Sequence, residues 1–517
     1  MTKNKPGLPL LFCRITQILR GNGLGPHSYI LSRWLFLRLL GIVYLIAFLS
    51  FWIQLPGLIG SNGILPVKSF LDALKSNLGA KAYWFVPTLA WFNAHDWFLK
   101  SLAVGGTFLS ALLIFGVLTI PMLALLWIFY LSIVSAGQVF MSFQWDILLL
   151  EAGFLAIFLS PFQVLPRLSR QSPPPSVILW LFRFLLFRLM FSSGFRKFSG
   201  GDPTWRSFTA LDFHYYTQPL PTPIAWYVYQ LPEWFHKFSV GFMFFIELVI
   251  PFFIFAPRRL RFIAAAGIIF LQVLIALTGN YTFFNLLSIA LCVLLFDDAF
   301  LQKFFPKRLR GATDTKQLSS SESRSTLSYK QLGMGVLAGV IIFLGSFQLA
   351  GVIIKYQNLP NILQKALLWI SPLRIVNNYG LFEVMTTSRP EIIIEGSDDG
   401  QNWLEYGFKY KPGDLKKSPP FVAPYQPRLD WQMWFAALGS YQDNPWFINL
   451  MVRLLQGSPD IIGLLEKNPF PSKPPKYLRA LVYEYRFTDL HTRHDTGNWW
   501  QRELKGLYFP PVALNQD

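Results

Sequence analysis

The sequence predicts a membrane all-α protein, a polytopic helical bundle of about nine spans, followed by a C-terminal soluble α+β domain with a small antiparallel sheet. Three observations carry that prediction. Of 517 residues, 53% are hydrophobic and only 14% are charged, against about 25% charged in soluble domains. The apolar residues fall in long blocks, as bilayer spans require. The positive charge is concentrated in the short stretches between those blocks.

The blocks lie near residues 35–55, 101–120, 122–138, 147–162, 176–195, 238–256, 262–278, 282–296 and 332–354. Several are shorter than the ~20 residues of an ordinary span. The second and third nearly fuse at Pro121, and the seventh and eighth meet at Gly279-Asn280. The first block has no small-residue cleavage site before it and reads as a retained span, not a signal peptide. Two long stretches between blocks, 56–100 and 196–237, are rich in aromatics, Pro and Gly. They are expected to fold onto the outer membrane face as helical hairpins or re-entrant pieces. Residues 311–328 form a polar, Ser-rich linker.

Charge gives the orientation. With the N-terminus in the cytoplasm, inner segments carry 17 Lys and Arg and outer segments carry 8. An odd number of crossings then places residues 355–517 on the non-cytoplasmic side, so the chain divides into a multi-span domain, 1–354, and an outer domain, 355–517. From Lys355 onward there are 18 Lys and Arg against 16 Asp and Glu. The net charge of +18 therefore belongs mainly to the membrane part. It marks topology, and nucleic acid is not an expected partner.

The outer domain alternates strand and helix patterns. Residues 391–395 read as a strand, Ser397-Asp398-Asp399-Gly400 as a hairpin turn, and 403–410 as the return strand. Residues 429–438, 445–455 and 461–466 have helical periodicity, and 477–487 and 499–509 read as further strands. Of the two cysteines, Cys13 precedes the first block and Cys292 lies inside the eighth. With none in the outer domain, a disulfide framework and Cys-based zinc sites are excluded there.

Charges within blocks are candidates for chemistry, because placing one in hydrocarbon costs at least ~2.5 kcal/mol. Asp146, Glu151, Arg183, Arg188 and Glu247 are such charges, expected to form structural intramembrane ion pairs. Asp146 and Glu151 stand about 140° apart around a helix, so they are not a carboxylate pair on one face. Lys197 and His214 lie at and beyond the end of the fifth block. Together with Asp146, Glu151 and Glu247 they are the catalytic candidates if the chain is an enzyme. His214 has no second His or Cys at ligand spacing, so no metal is expected. Nothing calls for a cofactor, and P-loop, GxSxG and HExxH signatures are absent. Asn280-Tyr281-Thr282 is a glycosylation sequon too close to the bilayer to be used. In the outer domain Trp431, Trp434 and Phe435 share a helical face. That face suits a core or a contact surface. Tyr425, Arg428, Asp430, Trp431, Trp434 and Phe435 are the client-binding candidates.

These residues sit in segments that resemble the lipase maturation factor family. The resemblance runs through LLGIVYLIAFLSFWIQLPGLIGSNGIL (39–65), QWDILLLEAGFLAIF (144–158), LDFHYYTQP (211–219) and Trp234-Phe235-His236. It continues through Asn378–Gly380, KPGD (411–414), PYQPRLDWQMWFAA (424–437) and Asn468-Pro469-Phe470. The resemblance implies a multi-pass, chaperone-like protein that helps a lipase mature, in eukaryotes in the endoplasmic reticulum with the C-terminal domain in the lumen. The missing outer-domain cysteines depart from animal members and suggest a bacterial-type member, with that domain in the periplasm. The membrane half is also distantly similar to the vitamin K-dependent gamma-carboxylase-like membrane domain, in which a Lys shortly after a span acts as base. Lys197 occupies a comparable place.

The expected function is therefore non-catalytic maturation of a translocated client protein, a lipase by resemblance, with membrane lipids as further partners. The alternative is a membrane enzyme with its active site at the outer interface.

Overall fold

A computed structural model describes residues 28–165, 168, 171–306 and 329–514. The linker 311–328, Cys13 and the first 27 residues lie outside the described residues. Seven helices among the described residues are long and apolar enough to cross a membrane. They are α1 (Ile30–Ile59), α2 (Asp96–Phe115), α3 (Thr119–Ala136), α5 (Ser176–Ser199), α6 (Glu233–Phe255), α7 (Arg258–Thr278) and α9 (Tyr329–Ile354). Two shorter helices, α4 (Gln144–Leu159) and α8 (Phe284–Val293), stand where the fourth and eighth blocks lie.

At 16 and 10 residues, α4 and α8 are shorter than a ~30 Å hydrocarbon core requires. Their ends show that the chain nevertheless travels the full distance. Beyond α8, Asp297 is ion-paired to Arg258, the first residue of α7. At the opposite end of α7, Gly279 bridges to Pro221. Beyond α4, Val164 O accepts from Leu118 N, in the turn between α2 and α3. These helices afford their shortness because they are buried in protein, so non-helical backbone at their ends does not face lipid.

Successive helices pack side by side from α1 to α8, and α8 returns to α1. The ring closes, with α1 on α4 and α5 on α8, while α9 leans on α5 and leaves most of its surface exposed. Helix α6 changes pitch near Pro251. A π-helical turn at Phe245–Val249 runs into a 3-10 segment at Ile250–Phe255, the local adjustment that a proline's missing N–H demands. The long stretch after α1 folds into short helices at Val67–Leu78 and Ala82–Phe85. The one after α5 forms Pro203–Arg206, Ala210–Thr217 and Pro223–Tyr229.

The C-terminal part holds a four-stranded antiparallel sheet in the order β2-β1-β5-β6. Its strands are β1 (Pro390–Ser397), β2 (Leu404–Glu405), β5 (Tyr477–Phe487) and β6 (Trp500–Val512). A second small sheet pairs β3 (Gly407–Phe408) with β4 (Leu465–Lys467). Helices α10 (Arg428–Ala437) and α11 (Pro445–Leu455) pack beside them. Two expectations are corrected. The return strand breaks after Glu405, and its second half crosses to the small sheet. The helix expected at 461–466 is one turn, Pro459–Ile462. Leu465–Lys467 is instead a strand, because β3 supplies its backbone partners.

One apolar cluster runs unbroken from α1 through the bundle into α11 and the sheet. The C-terminal part is therefore fused to one end of the bundle, not tethered beyond it.

Candidate functional site

The seam between bundle and C-terminal domain collects nearly all the charges singled out above. Asp146 begins α4, where a helix N-terminus favours an anion. Its two carboxylate oxygens accept one nitrogen each from Arg428, both at 2.9 Å. Tyr130 Oη donates to the same carboxylate at 2.5 Å. Arg428 also donates to Phe140 O at 2.7 Å and lies over the rings of Phe51 and Phe143. Asp146 and Arg428 are fully buried. Gln54, on the last turns of α1, fixes the chain on either side. Its Oε1 accepts Arg428 N and its Nε2 donates to Gln426 O.

Glu151, one and a half turns further into α4, is satisfied from both halves of the chain. Arg188 of α5 is ion-paired to Oε1. Oε2 accepts Asn377 N, Asn377 Nδ2 and Tyr379 Oη at 2.9, 3.0 and 2.7 Å. Arg188 returns a bond to Asn377 O at 2.9 Å. The segment entering the C-terminal domain thus plunges into the bundle. Gly380 permits that insertion, because a Cβ there would lie 2.1 Å from Arg196 Cδ. Its backbone exchanges two hydrogen bonds with the Gln144 amide.

A third cluster lies at the end of α5. Lys197 Nζ donates to both carboxylate oxygens of Glu247, at 2.7 and 2.8 Å. Glu247 sits on the π-helical turn of α6, and Gly194 lets α5 approach it, since a Cβ would lie 2.7 Å from Glu247 Cβ. Lys197 also lies over Trp205, whose Nε1 donates to Phe382 O. His214 is close by, stacked beside Tyr281 and edge-on to Phe382. Tyr281 Oη is 3.0 Å from its Nε2, and its Nδ1 is buried without a partner. Burial pushes the imidazole down to about 3, and the charge of Lys197 adds to the shift.

The expected pairing of intramembrane charges forms inside the bundle for Glu151 with Arg188 and for Glu247 with Lys197, and not for Asp146 or Arg183. Of the five intramembrane residues, Glu151 and Arg188 pair with each other, Asp146 pairs with the C-terminal domain, and Glu247 pairs with Lys197. Among the described residues Arg183 pairs with no carboxylate, and its guanidinium meets Tyr29 Oη. Of the five catalytic candidates, Lys197, Glu247 and His214 come together. Asp146 and Glu151 belong to separate clusters. Lys197 is buried with both Glu247 oxygens on its amine.

The six client-binding candidates are divided by burial. Arg428, Asp430, Trp431 and Trp434 are buried. Asp430 accepts Tyr410 N and Lys411 N at 2.9 Å each, and burial raises its carboxyl above the usual range. Trp431 meets Trp145 edge-on, and Trp434 Nε1 donates to Thr217 O at 2.7 Å. This face of α10 is seam because the bundle's outer loops cover it. Tyr425 is half-buried, and Phe435 is exposed.

Sequence reasoning missed the polar residues that complete the seam. Asn280 is one: its Oδ1 accepts Val422 N and Ala423 N at 2.7 and 2.9 Å, and its Nδ2 donates to Pro420 O at 2.8 Å. Arg389 is another, ion-paired with Glu391 and donating to Tyr216 O and Pro219 O. The available signal was an Asn at a tight junction between spans and an Arg beside an apolar strand.

Fold and seam together define a class: a multi-pass helical bundle with an α+β domain locked onto one end by a buried ion pair and buried hydrogen bonds. Residues 31–303 match the family model for the lipase maturation factor transmembrane domain, and residues 375–510 match that for the lipase maturation factor C-terminal domain. Lipase maturation factor 1 of Bos taurus is 37% identical over 510 residues, covering 94% of this chain and 90% of the relative. Lipase maturation factor 1 of Homo sapiens is 36% identical, covering 95% and 89%. Lipase maturation factor 2 of Xenopus laevis is 36% identical, covering 95% and 83%. No solved structure matches the chain. The chain belongs to the lipase maturation factor family, and it is an integral, multi-pass membrane protein.

Proposed function

We propose that this chain is a membrane-anchored maturation factor that engages a translocated client protein without chemically altering it. The client is a lipase, as the names of the relatives state for their own activity. The observation that supports this reading is the fusion of the C-terminal domain to one end of the bundle, which makes one continuous platform there. The excess of Lys and Arg in the opposite segments supports a platform on the non-cytoplasmic side. That side is the periplasm of a bacterium or the lumen of the endoplasmic reticulum.

The exposed remainder of the α10 face is the contact region. Phe435 and Leu438 are each 43% exposed. Val139, also exposed, adjoins them, because Gln432 Nε2 donates to its carbonyl. Co-expression with a secreted lipase tests the reading. The wild-type chain raises the specific activity of the secreted lipase. Phe435→Glu with Leu438→Glu lowers that gain about tenfold, the effect of losing ~1.4 kcal/mol of contact, while the amount of inserted protein stays constant. A lipase whose activity ignores the wild-type chain would refute the function, and full activity with the double substitution would refute the surface.

A further inference from the structure

At the end of the bundle away from the C-terminal domain, two arginines converge on one phenol. Arg183 lies on the second turn of α5 and Arg261 on the first turn of α7. Arg261 NH2 donates to Tyr29 Oη at 2.8 Å and Arg183 NH2 donates to the same oxygen at 3.2 Å. Arg261 Nε also donates to Leu295 O at 2.9 Å. Arg183 Nε is buried with no partner. The two residues are 8% and 7% exposed.

The nearby carboxylates are occupied. Arg258 holds Asp297 through two nitrogens. Asp298 accepts the N–H groups of Ile30, Leu31 and Ser32 and so caps α1. Neither forms an ion pair with Arg183 or Arg261. Among the described residues, two nearly buried positive charges therefore converge on one neutral phenol. Each costs several kcal/mol of desolvation, and they repel one another. An anion between them would offset both costs. The guanidinium fork matches an oxyanion with several oxygens, and phosphate is the common one.

The cluster is buried, and an exposed aromatic adjoins it. Arg183 lies over the ring of Trp180, which is 46% exposed on the outside of the bundle. Seven residues into α5 is about 10 Å from the helix start, a depth that a long arginine spans to reach the headgroup layer. Basic pockets between spans are where anionic headgroups bind. We propose that Arg183, Arg261 and Tyr29 form a site for the phosphate of an anionic phospholipid, in the leaflet opposite the C-terminal domain.

The test uses the full chain in detergent, with thermal unfolding followed by tryptophan fluorescence and lipid retention followed by native mass spectrometry. The probes are dioleoylphosphatidylglycerol, dioleoylphosphatidylcholine and inorganic phosphate. Wild type is expected to retain phosphatidylglycerol over phosphatidylcholine and to unfold at a higher temperature in its presence. Arg183→Gln with Arg261→Gln should weaken that retention about tenfold. The same variant should be at least as stable as wild type in phosphatidylcholine, because it removes two uncompensated charges. If it fails to accumulate, Arg183→Lys carries the test. It keeps the charge, loses the fork and should lower the preference. Equal retention of both lipids by wild type overturns the site, as does an unchanged preference in the variants. Protection by inorganic phosphate equal to that by phosphatidylglycerol upholds the anion site and overturns the lipid as its source.

Discussion

Arg428→Ala tests the seam at its centre. The substitution leaves Asp146, which is fully buried, without the guanidinium that holds both of its oxygens. Tyr130 Oη remains as one donor, and the carbonyl of Phe140 loses its bond from Arg428. Removing one partner of a buried ion pair costs about 3–5 kcal/mol, because the remaining charge is stranded. That corresponds to roughly a hundredfold or more in the equilibrium between docked and undocked domain. Removing both charges, Asp146→Leu with Arg428→Leu, strands no charge, leaves only the Tyr130 hydroxyl and the Phe140 carbonyl without these partners, and should cost less than the two single substitutions together. Amide hydrogen exchange across β1 and β5 and limited proteolysis between residues 355 and 390 report the docking, with thermal unfolding as a third measure. An Arg428→Ala protein with unchanged exchange and proteolysis would refute the argument. A double variant costing the sum of the singles would do the same.

Further outcomes follow from two buried seam residues. Asn280 is 2% exposed with its side-chain amide fully engaged, so its sequon should carry no glycan in eukaryotic cells, and glycosidase treatment should leave gel mobility unchanged. Asn280→Ala should loosen docking by about 2 kcal/mol. His214 should make stability depend on pH. Its folded value near 3 lies below the ~6.5 of the unfolded chain, so protons bind the unfolded state preferentially. The stability it contributes is complete above about pH 6.5 and is lost as pH falls toward about 3, at up to ~1.4 kcal/mol per unit, or about 2 kcal/mol at pH 5. Unfolding temperatures at pH 7 and pH 5 should therefore differ less for His214→Phe than for wild type, and equal differences would count against that assignment.

The spans were legible because each apolar block is local, and even α4 and α8 were countable from the turns that flank them. Strand β5 was legible for the same reason, since alternation over 477–487 needs no partner to be seen. Strand β4 was not, because three residues carry no period and only β3 makes them a strand. The charges were half legible. Sequence placed Asp146 and Glu151 in a span, but Arg428 stands 282 residues from Asp146, and Asn377 stands 226 from Glu151. Nothing local joins them. The Trp431 face was correctly apolar, yet apolarity cannot say whether a core, a client or the chain's own membrane half covers it.

That mutual dependence means that neither half is a finished domain. A chain ending at residue 354 keeps Asp146 in the bundle with Tyr130 and no Arg428. Glu151 keeps Arg188 but loses Asn377 and Tyr379. An unpaired acid at that position costs at least ~2.5 kcal/mol. Added to the apolar surface that α10 and α11 no longer cover, this should leave the shortened chain poorly folded and low in abundance. A merely missing surface and a stranded charge are separable. Asp146→Leu in the shortened chain removes the charge and restores no surface, so it should raise abundance, whereas in the full chain it strands Arg428 and should lower it. Opposite signs from one substitution are expected only if Asp146 exists to receive the C-terminal domain. The same sign in both chains, or no effect in either, would show that the two halves are joined by apolar burial alone.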